Sequence, residues 1–380
     1  MSKLISRLAV AAIVAAALTL TGCAPASPVS GLGDAPGLAG TAIGFVLPGA
    51  KNDAGYSQAV FEASQELGKD YPELDVLVEE NVQDGLPAVS AMEHLIEQGA
   101  RIIFATGPGQ LGAAQQIASE HPEVVVVQQG DSITGQLLPN IGTYGGFVYQ
   151  PMYLAGIVAG ATSKTGKLGF VYEFPTSQTI VEINAFERGA QLAHPNVQTI
   201  AVSTASRCDK TAQGKAAARA LAEGVDVLAQ HQDCPRAVIE AAEAAGVDSV
   251  GYGSDASEIA PEGWLTGVEF NWAPLYKRIA RNILDGEFTG GEFNANYRFD
   301  FRSDTNPVAL GGYGDSVKGG TQSLVATAEI NLGTAEGSPF AGPLFAQDGT
   351  QVLADGEVLS DRQINAMNYF VKGVVGHLAK

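Results

Sequence analysis

From position 41 onward, short apolar runs alternate with segments whose apolar residues recur at helical spacing. Runs at 41–47, 74–78, 101–105 and 123–127 predict strands, and the segments 57–70, 87–98 and 110–120 between them predict helices. A second series begins after a short run at 142–144 and a helical stretch at 151–161. Its strands fall at 167–172, 197–202, 225–229 and 249–252, separated by helices at 178–193, 211–223 and 237–245. The strands are apolar at nearly every position, as expected when helices cover both faces of a parallel sheet. Local sequence repeats too: 95–104 and 221–229 both run from a helix through an acidic residue and a glycine into a buried strand. The predicted fold class is α/β, with two doubly wound parallel-sheet (Rossmann-like) domains joined by a hinge. Segment 264–272 is expected to carry the chain back across the hinge, and 274–284 to form a helix on the first domain. The expected N-terminal lobe is 41–145 plus 267–305, and the C-terminal lobe 146–266 plus 306–380.

The N-terminus has a different pattern. Lys3 and Arg7, the apolar run 8–20 and then Leu20-Thr21-Gly22-Cys23 resemble a bacterial lipoprotein signal. A run of 13 residues is shorter than the about 20 that cross a bilayer. The expectation is a signal peptide at 1–22, lipidation at Cys23, and an exported, membrane-anchored protein; the alternative is an ordinary signal followed by an incidental cysteine. Residues 24–40 are dominated by Ala, Pro, Ser and Gly with only Asp34 charged, which predicts a flexible tether. Loss of Lys3 and Arg7 with the leader would move the net charge from −19 to −21. Such an acidic surface, without a basic block, argues against a nucleic-acid partner.

Ligands of doubly wound sheets bind beyond the carboxyl ends of the strands, and two facing sheets make a cleft. The loops to watch are 48–56, 106–112 and 128–132 in the first domain. In the second they are 173–178, 203–210, 230–235 and 253–257. Gly107-Pro108-Gly109-Gln110-Leu111-Gly112 satisfies the Gly-x-Gly-x-x-Gly pattern, with Asp131 near the spacing of a ribose-binding acid. It follows the third strand, however, where the dinucleotide fingerprint follows the first, and an exported protein meets little reduced nicotinamide. The plainer expectation is a tight turn presenting backbone amides to the cleft. There is no Gly-x-Ser-x-Gly, His-Glu-x-x-His or Cys-x-x-Cys motif. Of the five histidines only His231 lies in a cleft loop, where a ligand-orienting or structural role is expected rather than a catalytic one. No cofactor and no enzymatic activity are anticipated.

Several motifs together carry a family resemblance. They are Asn52-Asp53-Ala54-Gly55-Tyr56-Ser57-Gln58, the stretches 153–160 and 183–189, 226–233, Gly251-Tyr252-Gly253-Ser254-Asp255, 359–363 and the closing run 367–376. Over residues 41–380 the chain resembles the basic membrane protein group of lipoproteins, exported solute-binding subunits of ABC importers whose best-known members bind purine nucleosides. The closing run is typical of a branch with members that take nucleobases. The resemblance implies a type I periplasmic binding protein fold, a small heterocyclic ligand in the cleft, and a permease and ATPase complex as partners. It also implies a monomer held to the membrane by its lipid. A flat ring would stack between aromatic side chains while carboxylates or amides bond its edge.

On that pattern Tyr56 matches the aromatic of the first domain, and Phe270 falls where related proteins carry a lysine or a tryptophan. Asn52 and Asp53 sit on the ligand-holding loop, Phe174 and Trp272 are further aromatics at strand ends, and Gln110, His231, Asp233 and Asp255 are polar candidates. Three positions depart from the pattern. A family carboxylate becomes Gly112, an aromatic becomes Arg207, and the first acid of a turn becomes Gly253. Arg207 can stack on a ring or fork onto an anion, leaving open an anionic or non-nucleoside ligand; its plain alternative is a surface arginine paired with Asp209 or Asp233. A ligand sensor acting through a membrane partner, or an exported nucleoside-processing enzyme, are the other functional readings.

With Cys23 lipidated, Cys208 and Cys234 remain, each just beyond a strand of the second sheet. Neighbouring strands lie about 5 Å apart, within disulfide range, and an oxidising exterior favours the bond. The rival is a metal site of Cys208, Cys234 and His231, for which no fourth ligand is evident and which is not expected.

Overall fold

The computed structural model describes residues 35–130, 133, 137–288, 297–299 and 307–378. The expected signal peptide, Cys23, Asp131 and most of the tether lie outside the described residues. The first series is β1 (Ala42–Val46), α1 (Tyr56–Asp70), β2 (Asp75–Glu79), α2 (Leu86–Glu97), β3 (Ala100–Ala105), α3 (Leu111–Glu120), β4 (Val125–Gln129) and β5 (Ile141–Gly146). The second is α4 (Tyr149–Thr162), β6 (Lys167–Tyr172), α5 (Ser177–Ala193), β7 (Gln198–Ser203), α6 (Lys210–Ala222), β8 (Val227–His231), α7 (Arg236–Ala245), β9 (Asp248–Gly253) and β10 (Trp264–Phe270). The chain then crosses back through α8 (Ala273–Leu284) and β11 (Tyr297–Phe299) before returning as β12 (Val308–Leu310) and α9 (Gly319–Asn331). It closes with β13 (Leu344–Phe345), β14 (Gln351–Leu353), α10 (Asp361–Asn365) and β15 (Val374–Val375).

One sheet has the order β11-β5-β4-β3-β1-β2 and the other β12-β10-β9-β8-β6-β7-β15. Every pairing within them is parallel except β10 with β12. In both sheets the order reverses beside the first strand of the series, between β1 and β2 on one side and β3 on the other, and likewise at β6. Loops leaving β1, β3, β6 and β8 therefore diverge and leave a crevice at the carboxyl ends.

Burial on both faces explains the continuous apolarity of the strands. Phe45 and Phe104 stack at 4.8 Å beneath α1 and α8, while Val46 and Ile103 enter the opposite core with Met92 of α2 and Ile117 of α3. In the second lobe α4 and α5 approach so closely that a Cβ at Gly156 would lie 2.0 Å from the Phe186 carbonyl oxygen, and one at Gly189 1.9 Å from that of Tyr153. Those glycines belong to two of the sequence motifs, so their role is helix packing.

Two features differ from the sequence expectation. Segment 264–270 is a sheet strand and not a bare hinge crossing, because Glu269 and Phe270 pair with Ala309 and Val308 of the returning chain; the crossing falls at Asn271 and Trp272. The C-terminal stretch, which carried no helix or strand prediction, packs α9 on α4 and α10 on α5 and adds β15 to the edge of β7. Among the described residues no helix is long and apolar enough to cross a membrane.

Candidate functional site

A cavity of about 410 Å³ lies between the carboxyl ends of the two sheets. Its first wall begins at α1. The Asp53 carboxylate accepts from the backbone N–H groups of Gly55 (2.8 Å), Ser57 (3.0 Å) and Gln58 (3.0 Å), filling donors that the helix start leaves open. Burial raises the Asp53 carboxyl above its usual range although those three N–H groups pull it down. With α1 so fixed, Tyr56 points inward and its hydroxyl donates to the Thr106 carbonyl at 2.7 Å. Phe270 meets the Tyr56 ring edge to face, with centroids at 5.5 Å and 85° between planes, and stacks on Trp272 at 5.3 Å. Tyr252 meets Phe270 edge to face at 5.4 Å. The rings touch one another and form a single aromatic wall, so Tyr56 and Phe270 do not face each other across a ring-wide gap as the stacking expectation had them.

The floor is charged. His231 Nδ1 lies 2.6 Å from Glu182 Oε2, its ring stacks on Tyr252 at 4.6 Å, and its Nε2 lies 3.8 Å from Glu173 Oε1. Burial pulls the imidazole down, but Glu182, Glu173 and Asp233 together push it up to about 9, so it is cationic at neutral pH. Burial, and then the Asp233 charge, push Glu173 up to about 7. Asp233 is raised as well, chiefly by burial, against the opposing pull of Arg207 and His231. Arg207 reaches between Asp233 (3.8 Å) and Asp84 of the first lobe (3.9 Å). Gln128 donates to the Gly107 carbonyl at 3.0 Å, so the glycine turn after β3 is braced from behind while Pro108, Gly109 and Leu111 line the cavity.

The lobes also touch directly. The Tyr56 N–H donates to the Asp233 carbonyl at 3.1 Å, and the Ser254 hydroxyl donates to the Gly55 carbonyl at 2.7 Å. Gly253 has φ +101°, and a Cβ there would lie 2.5 Å from the Gly55 carbonyl carbon. A disulfide joins Cys208 to Cys234 with Cα atoms 5.1 Å apart, tying the loops that hold Arg207 and Asp233. The preceding strands β7 and β8 are not the neighbours expected, since β6 lies between them, so the loops beyond the sheet bring the cysteines together. Both sulfurs are thereby unavailable as metal ligands.

Of the residues singled out in the sequence, Tyr56, Arg207, His231, Asp233 and Phe270 line the cavity together. The others do not. Asn52 is exposed, and Asp53 caps α1 from outside the cavity. Gln110 is buried with its oxygen accepting from Gly107 N–H at 3.0 Å. Trp272 is wholly buried behind Phe270. Phe174 lines a separate outer pocket with Asp84 and Arg207, and Asp255 is exposed, accepting from Ser257 N–H at 2.9 Å. Of the departures, Gly112 is not among the lining residues.

Glu173, Tyr252 and Gln128 line the site without having been chosen. Each had a signal. Glu173 directly follows the apolar run of β6, where a carboxylate ends up buried, and strand alternation sends its neighbour Phe174 the other way. Tyr252 sat inside the motif from which Asp255 was taken.

The profile of the Bmp family, described as ABC transporter substrate-binding protein PnrA-like, matches residues 41–296. The chain belongs to this family. A purine-binding protein of Brucella abortus is 28% identical over 335 residues, covering 87% of this chain and 92% of the relative. A candidate ABC transporter glucose-binding protein of Haloferax volcanii is 28% identical over 332 residues, covering 86% and 78%. Among solved structures, an ABC transporter solute-binding protein from Conexibacter woesei superposes with TM-score 0.62 at 21% identity, covering 78% of this chain and 97% of that one. The fold of this Bmp protein is that of type I periplasmic binding proteins.

Proposed function

We propose that this Bmp protein is the extracytoplasmic receptor of an ABC importer, anchored through a lipid on Cys23, and that it closes on a purine base. The observation that carries the reading is the cavity itself, an aromatic wall of Tyr56, Phe270 and Tyr252 set over a charged, hydrogen-bonding floor at the reversal points of both sheets. An aromatic wall suits any flat heterocycle, and the polar floor selects among them. The Brucella relative supports a purine. A base is favoured over a nucleoside because the position of one family acid is occupied by Gly253, whose backbone packs on Gly55 and leaves no room there for a side chain. Among the described residues that line the cavity, no nucleophile is hydrogen-bonded to a base, which favours binding over turnover. A permease and ATPase complex would receive the cargo.

Titration calorimetry of the full-length protein with adenine, hypoxanthine, guanine, guanosine and glucose tests the cargo. Heat with the bases, exceeding that with guanosine and absent with glucose, is the expected outcome; no heat with any purine removes the cargo reading and leaves the family. Replacing Cys23 with Ser should release the protein from membranes while leaving binding unchanged. Unaltered membrane association of C23S would refute the anchor.

A further inference from the structure

Three ionisable side-chain atoms on the cavity floor are buried without a hydrogen-bond partner among the described residues: Glu173 Oε2, Asp233 Oδ2 and Arg207 Nη1. The opposite charges nearest to hand stand off at 3.8 Å, His231 Nε2 from Glu173 Oε1 and Arg207 Nη1 from Asp233 Oδ2, beyond hydrogen-bond reach. Leaving a buried carboxylate oxygen unpaired is costly, and native folds tolerate it mainly where another group completes it. Glu173 is the most constrained of the three. Its side chain is 6% exposed. On one side of it, the imidazole of His231 is fixed by the Glu182 bond and by stacking on Tyr252. At 3.8 Å from that ring Oε1 makes no hydrogen bond to it, and Oε2 has no partner among the described residues, so both oxygens face whatever occupies the cavity.

We propose that Glu173 reads the edge of the ligand, accepting from two adjacent N–H donors such as the ring N1–H and the exocyclic amino group of a 2-amino-6-oxopurine. The proposal rests on the purine reading above. A carboxylate matches a pair of parallel N–H groups in the way it matches the arginine fork, with both oxygens used. An adenine-type edge places a bare ring nitrogen opposite the same oxygens, setting acceptor against acceptor. Discrimination by buried hydrogen-bonding groups is strong because a mismatched ligand leaves them unpaired.

The electrostatics supply a second, independent handle. Around Glu173 stand His231 at the end of β8, Asp233 two residues beyond it, Arg207 on the loop after β7, and Glu182 on α5. Asp233 and Glu182 raise the Glu173 carboxyl and His231 and Arg207 lower it, but burial dominates and sets it at about 7. The ionised form that a donor edge requires is therefore gained as pH rises through neutrality. Binding of the 2-amino-6-oxo base should strengthen in that direction and level off above it.

Titration calorimetry of the full-length protein with guanine, hypoxanthine and adenine at pH 6, 7 and 8, on wild type and Glu173→Gln, tests this. In wild type at pH 8, guanine should bind at least about tenfold tighter than adenine, with hypoxanthine, which keeps only the ring N–H, between them. Guanine affinity should fall roughly tenfold between pH 8 and pH 6. Glu173→Gln should erase both the preference and the pH slope, because the amide replaces one acceptor with a donor and does not titrate. If E173Q lowers the melting temperature enough to complicate titration, the wild-type preference and pH slope decide alone. Purine binding with adenine equal or preferred, or guanine binding unchanged in a folded E173Q, would overturn the role of Glu173 while the purine reading stands. Absence of binding by every purine would overturn both.

Discussion

Tyr56 serves two structures at once. Its N–H bonds to Asp233 across the cleft while its ring and hydroxyl belong to the aromatic wall, so its side chain can be removed without removing the interlobe bond. Tyr56→Ala or Phe270→Ala should cost about 1–3 kcal/mol of ligand binding, the range for bases on aromatic platforms, or roughly 5- to 150-fold in affinity. Calorimetry on both variants reads this directly, and affinities unchanged in either would show that the ligand does not rest on the wall. His231 gives a second residue-scale expectation. In the fold it keeps its proton up to about 9, against an ordinary value of 6.5, so its contribution to stability is complete below 6.5 and lost as pH rises through 9. Glu173 and Glu187, both raised from 4.5 to about 7 chiefly by burial, act in the same direction over the lower interval. The melting temperature should therefore decline from about pH 5 to pH 9, and a melting temperature that climbs between pH 7 and pH 9 would contradict it. These residues also mark how far sequence reached into the site. The loops were legible because they follow apolar runs, but choosing Glu173 over Phe174 requires carrying the alternation of β6 one residue past its apolar run, a signal of position that composition alone does not give.

Elements were legible where burial on two faces made them apolar from end to end, as in β1. Where tertiary pairing recruits a polar sequence, the pattern fades. Strand β10 carries Thr266, Gly267 and Glu269 and is held in the sheet by β9 on one side and β12 on the other. The C-terminal elements are two to five residues long apart from α9, too short to show a period, and are tied down from a distance: Asn184 of α5 donates to the Tyr369 carbonyl at 2.8 Å and accepts from Val371 N–H at 2.9 Å. The disulfide belongs to this scale because it links the loop after β7 to the loop after β8, with Arg207 and Asp233 adjacent to the two cysteines. Closing that loop of the unfolded chain should stabilise the second lobe by about 3 kcal/mol in the chain-entropy view. Urea unfolding with and without reductant measures it, and ligand affinity should weaken on reduction as the two charged side chains lose their common anchor. An unchanged urea midpoint after complete reduction would show the bridge to be thermodynamically idle.

At the scale of the whole molecule, two lobes meet through backbone as well as side chains, and the meeting point is a pair of glycines. Gly55 at the start of α1 and Gly253 at the end of β9 approach so closely that the Ser254 hydroxyl bonds to the Gly55 carbonyl and no Cβ fits at 253. This contact lies directly beside the cavity, since the adjoining Tyr56 and Tyr252 both line it. Its consequence is a closed arrangement whose stability depends on the absence of one methyl group. Gly253→Ala places a carbon within 2.5 Å of the Gly55 carbonyl carbon, in a backbone conformation with φ +101° that alanine also resists. Each lobe keeps its own core, so the relief available to the variant is opening about the crossings near 147 and 271. The expected result is a larger radius of gyration by small-angle scattering in the presence of ligand. Affinity should fall at least about tenfold, because binding must then draw on a less populated closed state. Secondary structure should be unchanged by circular dichroism. A Gly253→Ala protein that closes and binds like wild type would show that the glycine contact is a passive consequence of closure and that the floor alone holds the lobes together.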